Sequence, residues 1–217
     1  MNQDSQPGVL IMHGDLSPSI DVSDIRDPAY IVAVDGGLSH VRRLGFTPSI
    51  VVGDMDSATA SDLEWATESG AEIQVSPTDK DQTDLELGLA HITTRCSRIV
   101  VLGGEGGTAG HLFGNFLTLA STTWARTVIE WRLAHATVRV IHPGDWRTVS
   151  DHAGERVSLL PIHGAACEVT TTGLQWPLFN AVLQPGESRG ISNRTIAPPA
   201  TVRIERGTLV AITEDPV

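Results

Sequence analysis

Short hydrophobic runs, each followed by a turn and an amphipathic stretch, recur over the first ~125 positions at the pace of βα units. Val9–His13, Tyr30–Asp35, Ile50–Gly53, Glu72–Val75 and Arg98–Leu102 read as strands. Gly37–Leu44 reads as a short helix closed by Gly45, and Ser61-Asp62-Leu63-Glu64 has the capping-box form that opens a helix ending at Gly70. Thr83-Asp84-Leu85-Glu86 is a second capping box, and its helix puts Leu85, Leu89 and Ile92 on one face. The glycine-rich stretch 103–110 leads into a helix running to about Ala120. Such alternation predicts a mostly parallel sheet flanked by helices.

The pattern changes after Trp124. Val128–Trp131, Ala136–Ile141, Arg156–Leu160, Cys167–Thr171, Thr201–Glu205 and Thr208–Ile212 read as strands, separated by turn signals at Pro143-Gly144-Asp145, Pro185-Gly186 and Arg206-Gly207. Helical periodicity is weak throughout. The prediction is an α/β N-terminal domain over residues 1–126 and an all-β sandwich over 127–217, joined near 125–132.

At 217 residues and 41% hydrophobic, the chain has enough apolar material for a real core. A net charge of −11 argues against broad attraction to nucleic acid or anionic membrane. No run approaches the ~20 apolar residues of a membrane span. Residues 1–8 are polar and carry no positive charge, unlike a secretory signal, so a cytoplasmic protein is expected. Cys96 and Cys167 have neither CxxC nor metal-ligand spacing and read as thiols in a reducing compartment.

Candidate chemistry lies where the early hydrophobic runs stop. VAVDGG (32–37), VVGDMDS (51–57) and TDKDQTD (78–84) place Asp35, Asp54, Asp56, Asp81 and Asp84 at strand ends or helix starts. Clustered carboxylates repel unless a hard cation or cationic substrate neutralises them, and Mg²⁺ shared with substrate phosphates is the usual answer. In an extended segment Asp54 and Asp56 would point to one side, with Met55 opposite; the blander alternative is an Asx turn with Ser57 capping the next segment. Asp81 and Asp84 converge on one ligand if both begin a helix, yet Thr83 and Asp84 are also ordinary first-turn residues. Lys80 adds a cation suited to polyphosphate. Gly36, Gly37, Gly14 and the run GGEGG with Gly106 and Gly107 are candidate phosphate approaches, each equally readable as a simple turn. GxxxxGK[ST] is absent, which disfavours a P-loop NTPase. A DxD phosphatase fits poorly, because its nucleophilic Asp comes after the first strand whereas GDMDS comes after the third.

GDMDS and KDQTD, with VDGG before them and TTGLQWPL (171–178) and GISN (190–193) after, resemble the motifs of the thiamin pyrophosphokinase family in order and spacing across roughly residues 9–212. The resemblance implies transfer of a diphosphoryl group from ATP to the hydroxyl of thiamin, releasing AMP. It further implies Mg²⁺, a homodimer with sites at the subunit interface, and an α/β domain followed by a β-sandwich. Asp54, Asp56, Asp81 and Asp84 are then the metal-binding and catalytic acids, with Gly14, Asp35, Gly36, Gly37, Lys80, Thr83, Gly106, Gly107 and His111 at the nucleotide. Ser192 and Asn193 would face the aminopyrimidine. Trp176 would face the thiazolium by cation–π attraction, unless it only packs in a Trp-Pro turn. A pterin or another heterocyclic alcohol as acceptor, or binding without catalysis, are the alternatives. GGEGGTAGHLFGN (103–115) departs from the family's GGRxDHxLxN: Thr108 stands where Arg is expected and Gly110 where Asp is expected. If those two form an ion pair in the family, losing both leaves no unpaired charge.

Overall fold

The computed structural model describes residues 6–216; the expectation for residues 1–8 therefore lies partly outside the described residues. Two compact units emerge, one through Thr118 with Trp131–Ala134, the other Leu119–Glu130 with His135 onward.

In the first unit, β1 (Gly8–Ile11), β2 (Tyr30–Val34), β3 (Ile50–Gly53), β4 (Glu72–Val75) and β5 (Arg98–Leu102) form a parallel array in the order β4-β3-β2-β1-β5. The inner strands are buried on both faces, which is why they read as unbroken apolar runs. The edge strand β4 instead leaves Glu72, Gln74 and Val75 exposed, with only Ile73 partly covered. Charged and polar side chains on an edge discourage pairing with another chain.

The helices are α1 (Gly37–Arg43), α2 (Ala60–Glu68), α3 (Asp84–Ile92) and α4 (Ala109–Leu119). Leu85, Leu89 and Ile92 of α3 are buried as their spacing requires. Gly88 lets α3 approach the sheet closely, since a Cβ there would stand 2.8 Å from a Val34 methyl. One expected cap moves. Thr59, not Ser61, caps α2, its hydroxyl accepting from Asp62 N at 3.2 Å and donating to the Asp62 carboxylate at 2.7 Å. Thr83 caps α3 as expected, accepting from Glu86 N at 3.3 Å.

The chain continues through β6 (Val128–Arg132) into the second unit's β7 (Ala136–Ile141), β8 (Arg147–Ser150), β9 (Arg156–Thr172), β10 (Ala181–Leu183), β11 (Asn193–Arg194), β12 (Ala200–Arg203) and β13 (Arg206–Glu214). β13 lies antiparallel between β7 and the first half of β9, while the second half of β9 pairs with β10 and β12, and β12 with β8. The two strands expected at 156–160 and 167–171 are therefore one 17-residue strand. Positive φ at His163 (64°), Gly164 (141°) and Glu168 (56°) bends it, so that one continuous segment serves two sets of partners. Arg206-Gly207, expected as a turn, begins β13 with a register shift instead. Val157, Leu159, Val169, Leu183, Val202 and Leu209 contribute to the core of this unit. The fold is thus an α/β part with a mostly parallel sheet, followed by an antiparallel strand-rich part.

Candidate active site

The site begins where β2 and β3 stop together. Asp35 N donates to Val52 O at 2.9 Å, extending the β2–β3 register one residue past β2. Asp35 then turns with φ 49°, a left-handed conformation that Asp tolerates better than most residues. Its carbonyl accepts from Leu38 N at 3.1 Å, which starts α1. The Asp35 side chain lies over Gly53, where a Cβ would stand only 3.0 Å from that of Asp35; φ 147° at Gly53 adds a second reason for glycine there.

Beyond Gly53 the chain is no longer extended, which corrects the expectation for Asp54 and Asp56. Asp54 Oδ1 accepts from Asp56 N at 3.2 Å, an Asx turn, and Met55 between them has φ 64°. Met55 packs its partly buried side chain on the core of the first unit, which anchors this turn. The two acids converge through a tight turn rather than through strand alternation. Asp35, Asp54 and Asp56 each offer a carboxylate oxygen, and these oxygens all lie within 4.8 Å of one another.

Asp35 is only 9% exposed. Its Oδ2 accepts a short hydrogen bond from Ser57 Oγ, while Oδ1 is buried and accepts none among the described residues. Like charges make the cluster unequal. Asp54 first, then Asp35, pushes the Asp56 carboxyl above the usual carboxylate range, with Asp84 adding a smaller push. Asp54 is shifted downward, chiefly by the backbone N–H of Asp56, with help from Thr78 and Lys80. An orphaned buried oxygen among three mutually repelling carboxylates fits a hard divalent cation.

The remaining expected residues divide. Asp84 opens α3 and its field reaches Asp56, but it pairs with Lys80 at 3.2 Å and is not one of the three clustered acids. Lys80 also donates to Pro77 O at 2.9 Å. Asp81 is exposed in the bend before α3, likewise outside the cluster, and the Thr83 hydroxyl is occupied by its cap. Gly36 and Gly37 are required by their own chain: a Cβ would stand 2.3 Å from His13 Nδ1 and 2.3 Å from Ile11 O respectively. Gly14 and Gly106 help line an open cavity of about 590 Å³ with Asp15, Ser17, Arg43 and Glu105. Gly107 has open space around it. His111 is exposed, and its backbone N donates to Thr108 Oγ1 at 3.3 Å, so Thr108 acts as the cap of α4. That gives this chain a use for Thr at the position where Arg was expected.

In the second unit Asn193 and Trp176 are joined by hydrogen bonds. The Asn193 side chain, 7% exposed, accepts from Trp176 N at 3.1 Å and from Arg194 N at 2.8 Å and donates to Trp176 O at 2.7 Å, so its amide braces the main chain. Trp176, for which core packing was the alternative, is 59% exposed. Ser192 is exposed with φ 59°, its N donating to Ser158 Oγ at 3.1 Å. Sequence reasoning missed the acid cluster's own support: Ser57 reads only as a cap, and Asp35 is assigned to the nucleotide rather than to the metal-binding acids. The sole signal available is that Ser57 directly succeeds the two turn acids.

These features can be set beside known proteins. The family model "Thiamin pyrophosphokinase, catalytic domain" matches residues 24–130, and "Thiamin pyrophosphokinase, vitamin B1 binding domain" matches 147–209. The chain is 29% identical over 184 residues to the thiamine pyrophosphokinase of Bacillus subtilis (strain 168), covering 83% of this chain and 85% of that protein. It is 30% identical over 170 residues to thiamine pyrophosphokinase 1 of Oryza sativa subsp. japonica, covering 75% of this chain and 64% of that one. The crystal structure of the Bacillus subtilis thiamine pyrophosphokinase superposes with TM-score 0.82 at 25% identity, over 97% of this chain and 100% of the other. That of the thiamin pyrophosphokinase from Geobacillus thermodenitrificans does so with TM-score 0.79 at 28% identity, over 96% and 97%. Two domain matches in order, relatives aligned along most of their length and whole-chain structural overlap agree on one conclusion: this chain belongs to the thiamin pyrophosphokinase family.

Proposed function

We propose that the protein transfers the diphosphoryl group of ATP to the primary alcohol of thiamin, giving thiamin diphosphate and AMP. The observation that carries this reading is the buried carboxylate of Asp35, with one oxygen unpartnered, beside Asp54 and Asp56 in a chain of this family. Asp35, Asp54 and Asp56 would hold Mg²⁺, which when bound supplies charge neutralisation for the polyphosphate. The thiamin oxygen forms a bond to the β-phosphorus as the bond from that phosphorus to the bridging oxygen of AMP breaks. A carboxylate of the Asp81/Asp84 pair takes or orients the hydroxyl proton. Alignment and charge neutralisation provide most of the acceleration in such a transfer.

The cavity lined by Gly14, Arg43 and Gly106 is where nucleotide would lie, next to the open backbone at Gly107. Trp176 offers an exposed aromatic face to the thiazolium. A homodimer fits the large apolar side chains left exposed in both units, among them Phe113, Leu117, Phe179 and Ile196. A reducing cytoplasm fits the two free thiols, and among the described residues no helix is long and apolar enough to cross a membrane.

Incubation with ATP, Mg²⁺ and thiamin should release AMP and thiamin diphosphate in equal amounts. Release of ADP with thiamin monophosphate, or no thiamin-dependent AMP, would overturn the assignment.

A further inference from the structure

We propose that Ser57 is a positioning residue that fixes Asp35 for metal binding and thereby sets the affinity of the carboxylate cluster for its cation; this rests on the metal reading above. Asp35 is nine-tenths buried, so its two oxygens cannot both fall back on bulk water. The Ser57 hydroxyl occupies Oδ2. Oδ1 alone is left without a partner, in the group whose oxygens lie within 4.8 Å. A carboxylate held at one oxygen has its second oxygen aimed in advance, and hydrogen bonds of this kind to a ligating carboxylate typically matter about 10–100-fold in metal affinity.

The serine is itself directed. Gly36 N donates to Ser57 Oγ at 3.2 Å, filling an acceptor site of the hydroxyl and turning its single proton toward Asp35. Glycine at 36 leaves room for this close approach, since a Cβ there would meet His13 Nδ1 at 2.3 Å and Ser57 O at 3.0 Å. The relay therefore runs from the Gly36 N–H to the Ser57 hydroxyl to Oδ2, leaving Oδ1 for the cation. Residues 22 positions apart in sequence are joined in one device.

The test uses the full chain and Mn²⁺ alone as probe, with free Mn²⁺ monitored by electron paramagnetic resonance. Wild type should bind one Mn²⁺ at a site weakened by Asp54→Asn. Ser57→Ala should then weaken binding about 10–100-fold, and Ser57→Thr, which keeps the hydroxyl, should recover most of it. In turnover assays the deficit of Ser57→Ala should shrink as Mg²⁺ is raised. If wild type binds no Mn²⁺, or Asp54→Asn binds as tightly as wild type, the metal reading itself falls. If those controls behave and folded Ser57→Ala binds Mn²⁺ like wild type, the metal site stands and the role of Ser57 is overturned. Should Ser57→Ala fail to fold, Ser57→Cys, near in size but a weak donor, decides: a loss of about tenfold or more in Mn²⁺ affinity upholds the relay, and wild-type affinity ends it.

Discussion

The acidic turns of the first unit and the 171–193 segment of the second both stand out as short polar phrases, yet their polar side chains end in opposite circumstances. At the turns, Asp35 keeps a buried oxygen without a hydrogen bond, and Asp54 and Asp56 crowd it with like charge. In the second unit, the Asn193 amide bonds the main chain of Trp176 in both directions and also accepts from Arg194 N, and the indole is what remains exposed. A buried polar group left unsatisfied costs stability and persists where a ligand completes it; a satisfied one stabilises the fold on its own. The contrast separates a polar group that the fold leaves unpaired from one that the fold itself satisfies.

The largest expected effect comes from the unsatisfied side of this contrast. Asp54→Asn keeps an oxygen to accept from Asp56 N but removes a charge. Loss of metal stabilisation worth several kcal/mol should cut AMP release by about a thousandfold, with the far-ultraviolet circular dichroism unchanged. The metal-free variant should melt close to wild type, because removing the Asp54 charge relieves the push on Asp56 while giving up the contacts that favour the Asp54 carboxylate. The shift at Asp56 sets one sign. A carboxyl raised above its unfolded value favours the fold at low pH, and the benefit is lost as pH rises through the folded value. Asp54 has the opposite sign, its lowered carboxyl adding stability as pH climbs above the ordinary 3.8 of aspartate, so Asp54→Asn should flatten the pH dependence of metal-free stability, and Mg²⁺ should stabilise wild type more than the variant. A variant markedly less stable than wild type at neutral pH would show that the carboxylate is structural and break the comparison.

Asn193→Ala should do the reverse, costing stability first. It leaves the N–H and C=O of Trp176 without their partner in a site only 7% exposed, for a loss of about 2–4 kcal/mol by urea unfolding. An unchanged midpoint, paired with a raised KM for thiamin, would return the amide to direct substrate contact.

Trp176→Ala should be milder. A side chain 59% exposed contributes little to packing, so melting should move little, while loss of a cation–π face worth about 1–2 kcal/mol should raise the KM for thiamin about tenfold. A large drop in stability without a change in KM would make the indole a packing residue after all.

Legibility in the sequence obeys the same divide between local and distant causes. Parallel strands buried on both faces produce uninterrupted apolar runs, so β1, β2, β3 and β5 are readable, as is Thr83, whose cap needs only residues three apart. The acids at the strand ends are visible for the same reason. Their convergence is not, because it depends on a left-handed Met55 and on Ser57 reaching Asp35 across the β2–β3 gap. β8 is too mixed in polarity, and β10 and β11 are too short, to give a period-2 signal. Asn193 looks like a ligand group because its partners are main-chain atoms 17 residues away, which no side-chain pattern encodes.

The smallest effect belongs to Gly110, where the family's acid is missing. The position is exposed in the first turn of α4, and a Cβ added there meets nothing nearer than Thr108 Oγ1 at 3.7 Å. Gly110→Asp should therefore fit without strain, improve helix propensity and place negative charge near the helix N-terminus. Together these should stabilise the protein by up to about 1 kcal/mol. Turnover should stay near wild type, because the added carboxylate regains no cationic partner while Thr108 remains the cap of α4. A gain of tenfold or more in AMP release from this single change would mean that the three clustered acids are incomplete without it. The unsatisfied oxygen of Asp35 would then be one part of a larger constellation rather than its centre.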